Sequence, residues 1–201
     1  MTYLTIPNMI TLTRLLVLTP LVIVMIVWNE PTFALGAMVL AGLSDAADGF
    51  IARMSKNYTD LGVWLDAAAD KIMLGSSYVL LGYMQVIPLW VTGVVIGRDA
   101  LIIAGVLLAR FWGVPLKISP VFVSKVNSVV QILLIALILA VASWNKTIMY
   151  ADNLSIVDAV TVIGNTLIEG VVWVMVITSV LSIVSYCRQW IKAILTPKKS
   201  A

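Results

Sequence analysis

An all-α integral membrane protein of six transmembrane helices is the fold that this sequence predicts, on three observations. Apolar residues make up 61% of its 201 residues and charged residues 11%, where an ordinary soluble domain carries roughly 45–50% and 25%. The apolar residues gather into six runs, each near the roughly 20 residues that a helix needs to cross about 30 Å of hydrocarbon. Strand-like alternation over about ten residues, the mark of a membrane β-barrel, is missing. So few charges could not cover the surface of a soluble globule. That excludes a disordered chain, a collagen, a disulfide scaffold and a free cytosolic enzyme. A single domain over residues 1–201 is expected, because six spans leave no room for a second one.

The elements follow in chain order, each ended by ordinary turn residues. Span one covers 10–28 and stops at Asn29, Glu30 and Pro31. Before it, Thr2 to Pro7 with Asn8, Thr11, Thr13 and Arg14 suits either a short amphipathic helix lying in the interface or an ordinary helix start. Span two, 33–52, ends at Ser55, Lys56 and Asn57. Span three, 61–85, and span four, 88–111, are divided at Pro88, and span four ends in the stretch from Gly113 to Pro120. Span five is 121–144, followed by the polar stretch from Asn145 to Ser155, and span six is 162–186.

Charge fixes the orientation. Arg53 and Lys56 follow span two; Arg110 and Lys117 follow span four, with Lys125 at the next helix start; Arg188, Lys192, Lys198 and Lys199 follow span six. The opposite loops carry only Lys146 among Glu30, Asp152 and Asp158. The positive-inside rule therefore places both termini and the 2–3 and 4–5 loops in the cytoplasm. Neither a secretory leader nor an Arg-rich transit segment is expected, which favours a bacterial inner (cytoplasmic) membrane, with the mitochondrial inner membrane as the other setting. The chain has no His, so imidazole ligands and bases are excluded, and its one cysteine, Cys187, forms no internal disulfide.

The most informative residues are carboxylates inside apolar runs. Asp45 and Asp48 stand three apart on the second helix, Asp66 and Asp70 four apart on the third. Either spacing puts both carboxylates on one helix face. Consecutive antiparallel helices with both pairs toward the connecting loop let all four face one another. Each intramembrane Asp costs roughly 2.5–3.5 kcal/mol, and four together repel. Hard divalent cations relieve that repulsion, since Mg2+ and Mn2+ prefer oxygen ligands. Two such ions side by side clamp a phosphoryl group for in-line displacement. An inter-helix salt-bridge network is the plainer reading, but only Arg53, Lys56 and Lys71 lie close in sequence, and the first two lie in or beside the loop. A cation transporter also uses intramembrane acids, though without the internal repeats that transporters usually show. Gly42, Ala46, Ala47, Gly49, Ala52, Gly62 and Ala67 to Ala69 let the two helix backbones approach closely.

Asp45-x-x-Asp48-Gly49-x-x-Ala52-Arg53, eight residues, then Gly62-x-x-x-Asp66-x-x-x-Asp70 resembles the signature of the CDP-alcohol phosphatidyltransferase family at all eight positions. Ala67 stands where relatives often have Pro. The segments Ala41 to Arg53, Ile96 to Ile102 and Val121 to Gln131 are most similar to the cardiolipin synthase branch of the mitochondrial, eukaryotic type. The resemblance covers roughly residues 5–140. It implies a CDP-diacylglycerol donor, an alcohol acceptor and two ions, Mg2+ or Mn2+. Asp45, Asp48, Asp66 and Asp70 would then be metal ligands, with Asp70 also the general base. Gly49, Ala52, Arg53 and Gly62 would frame the cytidine diphosphate.

For that branch the acceptor is phosphatidylglycerol and the products are cardiolipin and CMP. Phosphatidylglycerophosphate synthesis from glycerol 3-phosphate is the alternative within the family. The acceptor phosphate needs a basic partner, for which Lys125, Arg98 and Arg110 are candidates, with Ser124 and Asn127 as added donors. Snorkelling explains Lys125 equally well; Arg98 with Asp99 reads equally as a structural pair, and Arg110 as a topology determinant. The resemblance also implies a homodimer. No nucleic-acid partner is expected.

Overall fold

The computed structural model describes residues 6–55, 60–111, 122–149 and 154–195, and all of them lie in helices or the short turns between them. The elements are α1 (Ile6–Thr13), a π-helical turn (Arg14–Leu18), α2 (Thr19–Val27), α3 (Pro31–Ser55), α4 (Asp60–Tyr83), α5 (Leu89–Phe111), α6 (Phe122–Met149) and α7 (Leu154–Leu195). Three helical stretches are long and apolar enough to cross a membrane: Leu89–Ala109, Phe122–Thr147 and Asp158–Ile191. Two shorter apolar ones are Thr11–Val27 and Pro31–Ser44.

Each predicted span coincides with a helix, and the first comprises α1, the π turn and α2 in unbroken succession. Thr11 of α1 faces the protein interior, where it is buried along with Arg14, while Met9 and Leu12 are exposed. The largest departure is α7, whose 42 residues far exceed the 25 of the predicted 162–186. Its apolar stretch alone runs from Asp158 to Ile191. Backbone hydrogen bonding carries the helix on at both ends, to Leu154 and Leu195.

Two tight turns set the helix order. Asn29 takes a left-handed conformation (φ 56°) between α2 and α3, and Gln85 does the same (φ 58°) between α4 and α5. Asn is well suited to that region, whereas Gln there is uncommon. Pro31 opens α3, a position where its missing N–H costs nothing.

The core is one apolar cluster to which α2 to α7 all contribute, with Val22, Met38, Tyr78, Val95, Ile135 and Met175 among its members. Tyr78 donates its hydroxyl to the Gln131 carbonyl at 2.9 Å, which ties α4 to α6 deep in the bundle. Gly105 lies against the Trp190 ring so closely that a Cβ there would overlap it, and α5 and α7 meet at that point. The outward faces are apolar as well: Leu16, Leu43, Leu107, Val162 and Ile177 are among many large exposed hydrophobics. An exterior as apolar as the core, with a few polar side chains kept inside, is what lipid, rather than water, as solvent selects.

Candidate active site

The signature is carried by two helices. Asp45, Asp48, Gly49, Ala52 and Arg53 belong to the C-terminal part of α3; Gly62, Asp66 and Asp70 belong to the N-terminal half of α4. Of these eight side chains only that of Asp70 falls among the described ones, and those of Asp45, Asp48, Gly49, Ala52, Arg53, Gly62 and Asp66 lie outside them. Both α1 and the π turn contact α3 as well as α4, so one segment braces the two signature helices together.

That segment also supplies a residue that the motif does not contain. Arg14 is 1% exposed, and its Nη1 lies 3.2 Å from Oδ1 of Asp70, which is 44% exposed. The π turn accounts for how Arg14 gets there. Pro20 has no N–H, and in a regular helix its ring would press on the Leu16 carbonyl. The chain widens upstream instead, so that the Thr19 N–H donates to the carbonyl of Arg14 five residues back, and the Thr19 hydroxyl donates to the same oxygen at 3.1 Å. Single π turns of this kind often occur at functional sites. Pro20 was the available signal, since a proline inside an apolar helical run announces a local defect.

Beyond Asp70 a polar network crosses four helices. Lys71 on α4 donates to Asp99 Oδ2 on α5 at 2.6 Å. Asp99 Oδ1 accepts from Arg98 Nη1 at 2.5 Å. Arg98 is buried, and its Nη2 donates to Ser124 Oγ on α6 at 2.5 Å and to Ser182 Oγ on α7 at 2.8 Å. Its Nε has no partner among the described residues. Farther along α6, Asn127 Oδ1 accepts from Thr178 at 2.8 Å and from Ser179 at 2.9 Å, and its buried Nδ2 has no partner among the described residues.

Of the three candidate phosphate partners, Arg98 is therefore the one built into the interior. Lys125 follows Ser124 directly and is exposed. The Arg110 side chain lies outside the described ones; its backbone position is twelve residues, about 18 Å, farther along α5 than Arg98. The Arg98–Asp99 pair is present, while Lys71 pairs with Asp99 rather than with a signature carboxylate. Among the described residues no three acidic or cysteine side chains converge as a metal cluster.

The sequence model of the CDP-alcohol phosphatidyltransferase family matches residues 4–154, three quarters of the chain. The chain belongs to this family. It is similar to the cardiolipin synthase (CMP-forming) of Homo sapiens, with 39% identity over 166 residues, 75% of this chain and 54% of the human protein. The cardiolipin synthase (CMP-forming) of Rattus norvegicus is 37% identical over 75% of this chain and 53% of its own length. The chloroplastic CDP-diacylglycerol–glycerol-3-phosphate 3-phosphatidyltransferase 1 of Oryza sativa subsp. japonica is 31% identical over 84% of this chain and 57% of its own. The chain thus spans about half the length of the curated relatives it matches. The matched residues include the whole signature, the Arg14 turn, and the Arg98 and Ser124 part of the network.

Proposed function

We propose that this protein is a cardiolipin synthase, transferring a phosphatidyl group from CDP-diacylglycerol to phosphatidylglycerol and releasing CMP. The observation that carries this reading is the buried Arg98 with its two serine partners, reached from Asp70 through Lys71 and Asp99. The Arg98 Nε has no partner among the described residues, which supports a second phosphate contact besides the signature, as an acceptor that brings its own phosphodiester requires. The greater identity to the human and rat enzymes than to the rice enzyme favours phosphatidylglycerol over glycerol 3-phosphate.

The residues divide the work by their chemistry. Asp45, Asp48, Asp66 and Asp70 form an all-oxygen donor set suited to two hard ions, and the carboxylate of Asp70 is 44% exposed. Bound Mg2+ or Mn2+ supplies charge neutralisation at the pyrophosphate and at the departing CMP. Gly49, Ala52 and Gly62 leave room for the nucleotide, and Arg53 adds a forked donor to its phosphates. Asp70 takes the proton of the acceptor's free glycerol hydroxyl as that oxygen bonds to the phosphorus bearing diacylglycerol. Arg14 orients the same carboxylate. Arg98 and Lys125 hold the acceptor phosphodiester, and Arg110, placed farther along α5, is the weakest of the three candidates.

The topology that fits is six spans with the signature on the cytoplasmic or matrix side, where the water-soluble nucleotide arrives while the acyl chains stay in the bilayer. The homodimer implied by the resemblance is tested by measuring particle mass in detergent. Purified protein with CDP-diacylglycerol and Mg2+ should release CMP only when phosphatidylglycerol is added, with cardiolipin identified in the lipid extract. Release with glycerol 3-phosphate instead establishes the second reading, which the rice relative supports. Ion flux without CMP release refutes both.

A further inference from the structure

At the end of the bundle away from the signature, the α4–α5 turn, the start of α5, the end of α6 and the first half of α7 enclose a recess of about 470 Å³. Its wall is apolar, with Val86, Ile138, Ile168 and Val172. Its rim is not: Asn145, Asn165 and Glu169 all line it. Asn165, Glu169 and Trp173 are spaced by four on α7 and so share one face. The Trp173 ring stands 6.0 Å from that of Trp90, tilted by 39°, and both rings line the recess and are exposed.

Glu169 needs an explanation. It lies eleven residues into the apolar stretch Asp158–Ile191, about 16 Å along the helix from its start. It is exposed, and it lines the recess with Trp90 at the start of α5 and Asn145 near the end of α6, which places its carboxylate at the level where the neighbouring spans end. None of the ion pairs among the described residues includes it. The basic side chain nearest in sequence to the recess lining, Lys146, is already committed to Glu30 and the Asn29 carbonyl. What the fold leaves open beside Glu169 is therefore a place for a cation with an apolar tail.

We propose that this recess binds a lipid whose headgroup carries an ammonium, the headgroup lying between Glu169 and the Trp90–Trp173 pair and one acyl chain lying along the valine and isoleucine wall. A carboxylate supplies the charge, tryptophan faces attract ammonium groups, and the volume is that of a small-ligand site. The site is independent of the transferase chemistry and lies at the opposite end of the bundle from it.

The test uses the full chain in phosphatidylglycerol vesicles containing a minor, increasing fraction of chain-brominated lipid, with either a phosphatidylcholine or a phosphatidylglycerol headgroup. Bromine quenches nearby tryptophans, and subtracting the Trp90→Phe/Trp173→Phe variant isolates the pair. Half-quenching should occur at an about fivefold lower fraction of the choline lipid, the discrimination that one partly desolvated ammonium–aromatic contact gives. Glu169→Gln should erase that difference while leaving the melting midpoint unchanged. Equal quenching by the two headgroups in the native protein would overturn the proposal, as would a preference that survives Glu169→Gln. Displacement of the brominated choline lipid by an equimolar amount of tetramethylammonium chloride would make the acyl chain irrelevant and refute the lipid as occupant.

Discussion

The two ends of the bundle handle charge in opposite ways. At the signature end, Arg14 and Arg98 are almost fully buried, and each is held by acidic or hydroxyl partners from other elements or from its own helix. At the far end, Lys146 closes the α2–α3 turn through Glu30 at 2.8 Å and the Asn29 carbonyl at 2.8 Å, with both side chains partly open. Burying an ion pair costs about as much as the pair returns, so stability alone does not favour placing two arginines in the interior. An exposed pair, by contrast, is cheap and worth little. The contrast separates charges kept for chemistry from charges kept for trimming a turn.

The sharpest way to break that contrast is to neutralise the charge with the most direct chemical role. Asp70→Asn keeps the shape and removes the base, so turnover should fall by about 10²–10⁴-fold. Binding of the cytidine nucleotide, followed by equilibrium dialysis, should persist. Substantial residual turnover would show that Asp70 is not the base. Next comes Arg98→Met, which leaves Asp99, 19% exposed, with Lys71 as its remaining partner among the described residues. Because Asp99 stays paired and partly open, the loss should fall below that of a fully buried pair, at about 1–3 kcal/mol, which chemical denaturation in mixed micelles measures. The double variant Arg98→Met/Asp99→Leu should recover part of that loss, because it removes the carboxylate that has lost a partner. Lys125→Ala is milder. The side chain is exposed, so the fold should be unaffected, and loss of one charge-assisted contact should raise the acceptor KM about tenfold with kcat nearly constant. An unchanged acceptor KM would remove Lys125 from the site.

The sequence made one kind of information legible and hid another. Apolar runs and the eight-position signature depend on local spacing, so helices α3 to α6 and the acidic pairs on α3 and α4 could be located without coordinates. The Arg98–Asp99 pair could be anticipated for the same reason, because the two residues are neighbours. Arg14 meeting Asp70 could not, since it depends on how α1 and the π turn sit against a helix 56 residues later. The partner of Lys71 was not legible either: the register of α4 against α5 gives it to Asp99. The length of α7 was hidden for another reason: its apolar stretch alone runs from Asp158 to Ile191, longer than the roughly 20 residues a single crossing needs, so hydropathy reads a span of ordinary length from it.

The smallest expected effect tests the other side of the contrast. Lys146→Met removes both contacts to the α2–α3 turn and keeps most of the side-chain volume. Glu30 and Lys146 are 39% and 27% exposed, so solvent can replace each partner, and the loss should be at most about 1 kcal/mol. The turn also has independent support: the Glu30 N–H donates to the Met25 carbonyl at 2.8 Å, and Pro31 starts α3 whatever Lys146 does. A melting midpoint within a few degrees of the native value, together with unchanged CMP release, is therefore expected. A loss as large as that of Arg98→Met would mean that the far-end pair is as structurally committed as the buried one, and burial would no longer distinguish the two ends.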